Sequence, residues 1–90
     1  MSEPPWDVQV APPARRQIDR LPISVAAAVI ETFDAIASNP RRLGKPLRFE
    51  LEGYLSARRG PYRIIYRIDD ATRLITVVAV AHRSDIYRPR

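Results

Sequence analysis

The sequence predicts an α+β domain: a strand and two helices come first, then a run of strands that builds a mainly antiparallel sheet, with both helices packed on one face. Three observations carry this. Trp6-Asp7-Val8-Gln9-Val10 alternates apolar with polar residues, the pattern of a half-buried strand. Residues 12–38 repeat their apolar positions at helical spacing. Beyond Gly53, residues 54–59, 62–69 and 73–82 return to strand-like patterning, with Asp69-Asp70-Ala71-Thr72 a hairpin turn between the last two.

Each element has a local cause. Pro4-Pro5 lack amide donors and precede the first strand. Pro12-Pro13 suit the first turn of a helix, whose Ala14, Ile18 and Leu21 share a face while Arg15, Arg16, Asp19 and Arg20 stay in water; Pro22 ends it. Val25, Ala26, Val29, Ile30, Phe33, Ile36 and Ala37 then form the apolar stripe of a second helix, with Ser24 as its predicted N-cap and Asn39-Pro40 as its stop. Arg41 to Pro46 reads as a basic loop, and Leu47 to Leu51 as a second strand. Trp6, Phe33 and Phe49 are assigned to the core.

The chain has 90 residues, 46% of them hydrophobic, enough for one domain spanning residues 1–90 that buries roughly 60–65% of its unfolded surface. It contains no cysteine, so disulfides and thiolate metal sites are excluded. The sequence indicates neither secretion nor membrane insertion, and the cytoplasm is the expected location. The net charge of +5 is unevenly placed: residues 1–40 hold three Lys/Arg against five Asp/Glu, and residues 41–90 hold twelve against five, or −2 and +7. Such a basic half fits a polyanionic partner, either nucleic acid or an acidic protein segment. A solvated surface is the plainer alternative.

Two stretches carry the chemistry. In Tyr62-Arg63-Ile64-Ile65-Tyr66-Arg67, Arg63 and Arg67 flank Ile65 on one side of a strand, and Tyr62, Ile64, Tyr66 and Ile68 point to the core. In His82-Arg83-Ser84-Asp85-Ile86-Tyr87, an unbroken last strand would put Arg83 on the face of Ala79 and Ala81, where small residues leave room for a ligand. His82 is the single histidine, so a multi-histidine metal centre is excluded, and no dense carboxylate cluster replaces it. No metal or cofactor is expected. His82 is a candidate for proton transfer, because only imidazole titrates unaided near neutrality. Lys45, Arg48, Arg58, Arg59 and Arg67 are candidate contacts to a phosphate backbone, joined by Arg41 and Arg42 in the loop.

Leu43-Gly44-Lys45-Pro46-Leu47, Glu52-Gly53-Tyr54-Leu55-Ser56-Ala57-Arg58-Arg59-Gly60, Tyr62-Arg63-Ile64-Ile65-Tyr66 and Val80-Ala81-His82-Arg83 to Tyr87 together resemble the RelE/ParE toxin superfamily, most of all its actinobacterial RelE-type members. The likeness covers nearly the whole chain. It implies a toxin of a type II toxin–antitoxin pair, a metal-independent endoribonuclease that cleaves mRNA in the ribosomal A site. The implied partners are the ribosome, its mRNA and a cognate acidic, RelB-like antitoxin, with operator DNA reached only through the antitoxin complex. Arg63, Arg83 and Tyr87 match the family's functional positions. Members with two lysines ahead of the Gly-Tyr-Arg turn have no counterpart here, where Tyr54, Ser56 and Ala57 lead into Arg58 and Arg59.

The 2′-hydroxyl of RNA is an internal nucleophile, so cleavage needs in-line geometry, a proton acceptor, charge stabilisation and a proton donor, leaving a 2′,3′-cyclic phosphate and a 5′-hydroxyl. Arg63 and Arg83 suit charge stabilisation but not proton abstraction, because a guanidinium stays protonated. Tyr87 suits proton donation to the leaving oxygen or stacking on a base. Two other readings share the fold: a ParE-like gyrase poison, and a non-catalytic module that binds an antitoxin for autoregulation.

Overall fold

The computed structural model describes residues 5–86, and side chains as far as Ser84. The chain runs β1 (Asp7–Val10), α1 (Pro12–Asp19), α2 (Ile23–Ser38), α3 (Pro40–Leu43), β2 (Lys45–Pro46), β3 (Tyr54–Arg59), β4 (Tyr62–Asp69), β5 (Leu74–His82) and α4 (Arg83–Ile86). Among the described residues, five strands form one sheet in the order β1-β5-β4-β3-β2. Only β1 lies parallel to its neighbour, with Asp7 opposite Leu74 and Val10 opposite Val77; the other pairs are antiparallel. This is the α+β arrangement expected from the pattern.

The helices cover one face. Ala14 of α1 and Val29, Phe33 and Ile36 of α2 meet Ala57, Ile64, Tyr66, Ile75, Val77 and Val80 of the sheet. Withdrawing each large aliphatic side chain among them from water contributes about 1.5–3 kcal/mol. On β4 the buried residues Ile64 and Tyr66 alternate with Arg63, Ile65 and Arg67, as period two requires. The extra residue of the β4–β5 ladder lies on β5, because Ile65 faces Ala79 while Tyr66 faces Val77 and Val78 is passed over. β1 stops pairing at Val77, and the β5 edge beyond it is closed by α1, where Gln17 Oε1 accepts the Val80 N–H at 2.6 Å.

Glycine at position 44 has a steric cause. A Cβ there would stand 1.9 Å from the Tyr66 hydroxyl. That hydroxyl is buried and donates to the Pro40 carbonyl at 2.5 Å, tying α3 to the middle of the sheet. Burial pushes the Tyr66 phenol up to about 12, against the opposing effects of a backbone hydrogen bond from Gly44 and the charge of Arg41. Outside this joint, Arg41 makes a two-pronged ion pair with Asp70 in the β4–β5 turn, at 2.9 and 2.7 Å. The Arg41 guanidinium holds the Asp70 carboxyl below its usual range.

Residues 39–53 depart from the expectation. Pro40–Leu43 is a helical turn rather than loop, because Pro40 sets the first helical dihedral. The strand predicted at Leu47–Leu51 is displaced to Lys45–Pro46, and Phe49–Leu51 forms a 3₁₀ turn. Phe49 has a positive φ of 60° and is 91% exposed, so its assignment to the core is wrong. The second helix begins at Ile23 after Pro22 and has no side-chain cap, so Ser24 does not serve as N-cap. Trp6 packs at the margin of the core with the Arg73 guanidinium 4.6 Å from its ring centre. No helix among the described residues is long and apolar enough to cross a membrane.

Candidate functional site

The face of the sheet opposite the helices carries Arg58, Arg63 and Arg67. Arg58 and Arg63 are directly opposed across β3 and β4, and Arg63 is in turn opposite Ala81. A two-residue turn, Gly60-Pro61, closes this hairpin, and Gly60 takes a φ of 56° that other residues rarely adopt. The tight turn fixes both arginines at the end of the ladder.

Arg83 joins them by a different route from the one expected. β5 ends at His82, so Arg83 does not continue the strand beyond Ala79 and Ala81; it opens α4. Its N–H donates to the Pro61 carbonyl at 2.7 Å, pinning the start of α4 to the β3–β4 turn. Arg58, Arg63 and Arg83 therefore line one open hollow of about 200 Å³, floored by Gly60, Pro61 and Tyr62. A shallow trough of about 430 Å³ continues from it past Lys45 and Ser56 and shares Arg58 and Arg63 with it. Fixed cations from three elements and a lysine from a fourth thus lie along one path.

The remaining sequence candidates separate. Arg67 lies on the same face opposite Tyr54, four residues along β4 from Arg63, a separation of about 13 Å at strand spacing. Arg59 alternates to the helix-covered face, where it lines a cleft with Val25 and Ala28 and lies 3.5 Å from Glu31. Arg48 is exposed ahead of the 3₁₀ turn and lines neither hollow nor trough. Arg41 is engaged with Asp70. His82 alternates away from the basic face and packs edge-on against Tyr62, with ring centres 5.3 Å apart. Tyr87 lies outside the described residues.

Sequence reasoning passed over Ser56, which shares the parity of Arg58 on β3 and lines the trough. Period two was the signal that could have found it, and the same signal separates Arg58 from its neighbour Arg59. Chemically, the hollow offers permanent positive charge and guanidinium donors. Among its described lining residues there is no carboxylate or imidazole. It can hold an anion and stabilise added negative charge, and its described lining residues do not include an ordinary base.

Known proteins resemble this chain over most of its length. Residues 8–87 match the model of a family described as the ParE toxin of the type II toxin–antitoxin system parDE. Toxin RelG of Mycobacterium tuberculosis (strain ATCC 25618 / H37Rv) is 48% identical over 85 residues, covering 93% of this chain and 98% of the relative. Toxin RelE of the same organism is 47% identical over 85 residues, covering 93% and 88%. The toxin–antitoxin complex RelBE2 from M. tuberculosis contains a chain that superposes with a TM-score of 0.83 at 46% identity, over 88% of this chain and 99% of that one. A chain of the intact Escherichia coli RelBE complex shares the fold at 16% identity, with a TM-score of 0.74 over 86% and 95%. The chain thus belongs to the ParE toxin family of type II toxin–antitoxin systems, within the RelE/ParE superfamily that its motifs resemble.

Proposed function

We propose that this toxin is a ribosome-dependent endoribonuclease that cuts mRNA in the A site by attack of the RNA's own 2′-hydroxyl. One observation carries the reading: Arg58, Arg63 and Arg83, from two strands and a helix, surround a single open hollow on the uncovered face of the sheet. A phosphate held in the hollow can accept charge-assisted hydrogen bonds from these guanidinium groups. As the 2′-oxygen attacks, the phosphate gains negative charge, and guanidinium groups already in place stabilise it without reorganising. Lys45 and Ser56 extend the grip along the neighbouring backbone.

Among its described lining residues the hollow holds no ordinary base, which supports a reading in which the ribosome contributes to catalysis. Aligning the 2′-oxygen, phosphorus and leaving oxygen contributes most when proton transfer is inefficient, and a ribosome-held codon supplies that alignment. Free RNA is therefore expected to be cut poorly. Tyr87 is the proposed donor to the leaving oxygen. The proposed partner that restrains the toxin is a cognate antitoxin, in keeping with the solved complexes of its relatives, and the proposed place of action is the cytoplasm.

Ribosomes programmed with a defined message test this. The expected result is new 5′ ends within the A-site codon, lost when the A-site nucleotide is replaced by its 2′-deoxy analogue. Continued cutting of the deoxy substrate would exclude the mechanism. An intact message together with gyrase-trapped DNA breaks would replace the reading by that of a gyrase poison, which the matched family's description keeps in view.

A further inference from the structure

His82 is next to the hollow in sequence but behind it in space. Its ring lies on the helix-covered side of the sheet, edge-on to Tyr62, which is opposite it in the β4–β5 register. Its Nδ1 instead meets the next element: the Ser84 N–H donates to Nδ1 at 3.2 Å, and the Ser84 hydroxyl lies 2.8 Å from the same nitrogen. Counted along α4, His82 is the N-cap, Arg83 the first helical residue and Ser84 the second, so the bond has the geometry by which a capping side chain satisfies an orphan amide.

We infer that His82 is a positioning residue, whose ring nitrogen caps α4 and thereby holds Arg83 over the phosphate hollow. The inference deepens the nuclease reading and rests on it for its kinetic consequence. The chain stops being a strand at His82 and turns at Arg83, whose side chain lines the hollow with Arg58 and Arg63. Two bonds fix that turn: Arg83 N–H to the Pro61 carbonyl from one side, and Ser84 N–H to His82 Nδ1 from the other. A four-residue helix has little cooperativity of its own, so its first turn depends on such external partners. Because Nδ1 accepts from a backbone amide, the neutral ring carries its proton on Nε2. The ring acts through Arg83 and does not touch the scissile phosphate.

Two measurements test this. In single-turnover cleavage on programmed ribosomes, His82→Ala is expected to slow the cut about 2- to 30-fold, the population lost when one N-cap is removed. His82→Asn, which has no ring to shuttle protons but is a strong N-cap, is expected to recover most of that loss. An Asn variant as slow as the Ala variant, or an Ala variant as fast as the parent, would overturn the inference. Nitrogen-15 spectra of the ring in the free parent protein decide the matter without any activity: Nδ1 should be unprotonated and coupled to no hydrogen, with Nε2 protonated, and the opposite tautomer would overturn the inference even if His82→Ala cannot be folded. A parent protein with the expected tautomer that leaves the message intact would defeat the nuclease reading and leave the cap standing.

Discussion

The two faces of this sheet are built from the same strands, often from adjacent residues, yet they are under opposite demands. On the covered face Ile64, Tyr66, Ile75 and Val77 are fully buried, and every polar atom needs a partner. On the open face Arg63 and Arg67 alternate with Ile64 and Tyr66 along β4, and Arg58 follows buried Ala57 on β3; Arg58 and Arg63 line the hollow. The lesson is a division of labour by parity: one step along a strand moves from a position that holds the fold to one that acts on a ligand. Substitutions on the two faces should therefore separate stability from activity.

The largest expected effect is on the open face. Arg63→Ala should lower A-site cleavage by about 10²–10³-fold, the usual loss for one preorganised transition-state donor, while its melting temperature stays near that of the parent. A parallel fall in melting temperature would break the comparison.

Next is a change on the covered side. Gly44→Ala forces its new methyl into the Tyr66 hydroxyl, so either the phenol leaves Pro40 or α3 moves. The expected cost is about 3 kcal/mol from overpacking and a lost buried hydrogen bond, read by denaturant unfolding. The cleavage rate per folded molecule should change little.

Tyr66→Phe is milder, at about 1–2 kcal/mol, because the shape is kept and the Pro40 carbonyl loses its donor. It also carries a pH signature. The folded Tyr66 is raised to about 12, above the ordinary tyrosine value, so its contribution is complete below about pH 10 and is lost as the pH climbs from about 10 to 12, at about 1.4 kcal/mol per pH unit. That part of the alkaline slope should vanish in the Phe variant. The smallest effect belongs to Asp70→Asn. Asp70 is depressed by Arg41, so the pair's contribution is present above the ordinary aspartate range and fades as the pH falls through the folded value. The pair is largely exposed, so unfolding at neutral pH should barely change.

Much of this was legible in the chain because it rests on periodicity. The stripe Val29, Phe33, Ile36, Ala37 made α2 readable, and the alternation through residues 62–69 placed Arg63 and Arg67 opposite the core. The β2 region was not legible, because two paired residues, Lys45 and Pro46, are too short to show a period and Pro46 discourages a strand reading. Phe49 misled because aromatic character suggests burial, whereas its backbone turns it out to solvent. Arg83 was expected on the face of Ala79 and Ala81 as part of an unbroken strand, and it reaches the hollow through α4. Such an arrival depends on contacts between Pro61, His82 and Ser84, distant or non-periodic in sequence, that no pattern along the chain encodes.

The central claim is that arginines from separate elements act on one phosphate, and a double-mutant cycle measures it most directly. Single-turnover cleavage on programmed ribosomes would be compared for the parent, Arg63→Ala, Arg83→Ala and the double variant. The account expects strong coupling, with the double variant losing far less than the product of the two single losses. Losses that multiply independently would contradict it and assign the two guanidinium groups to different tasks.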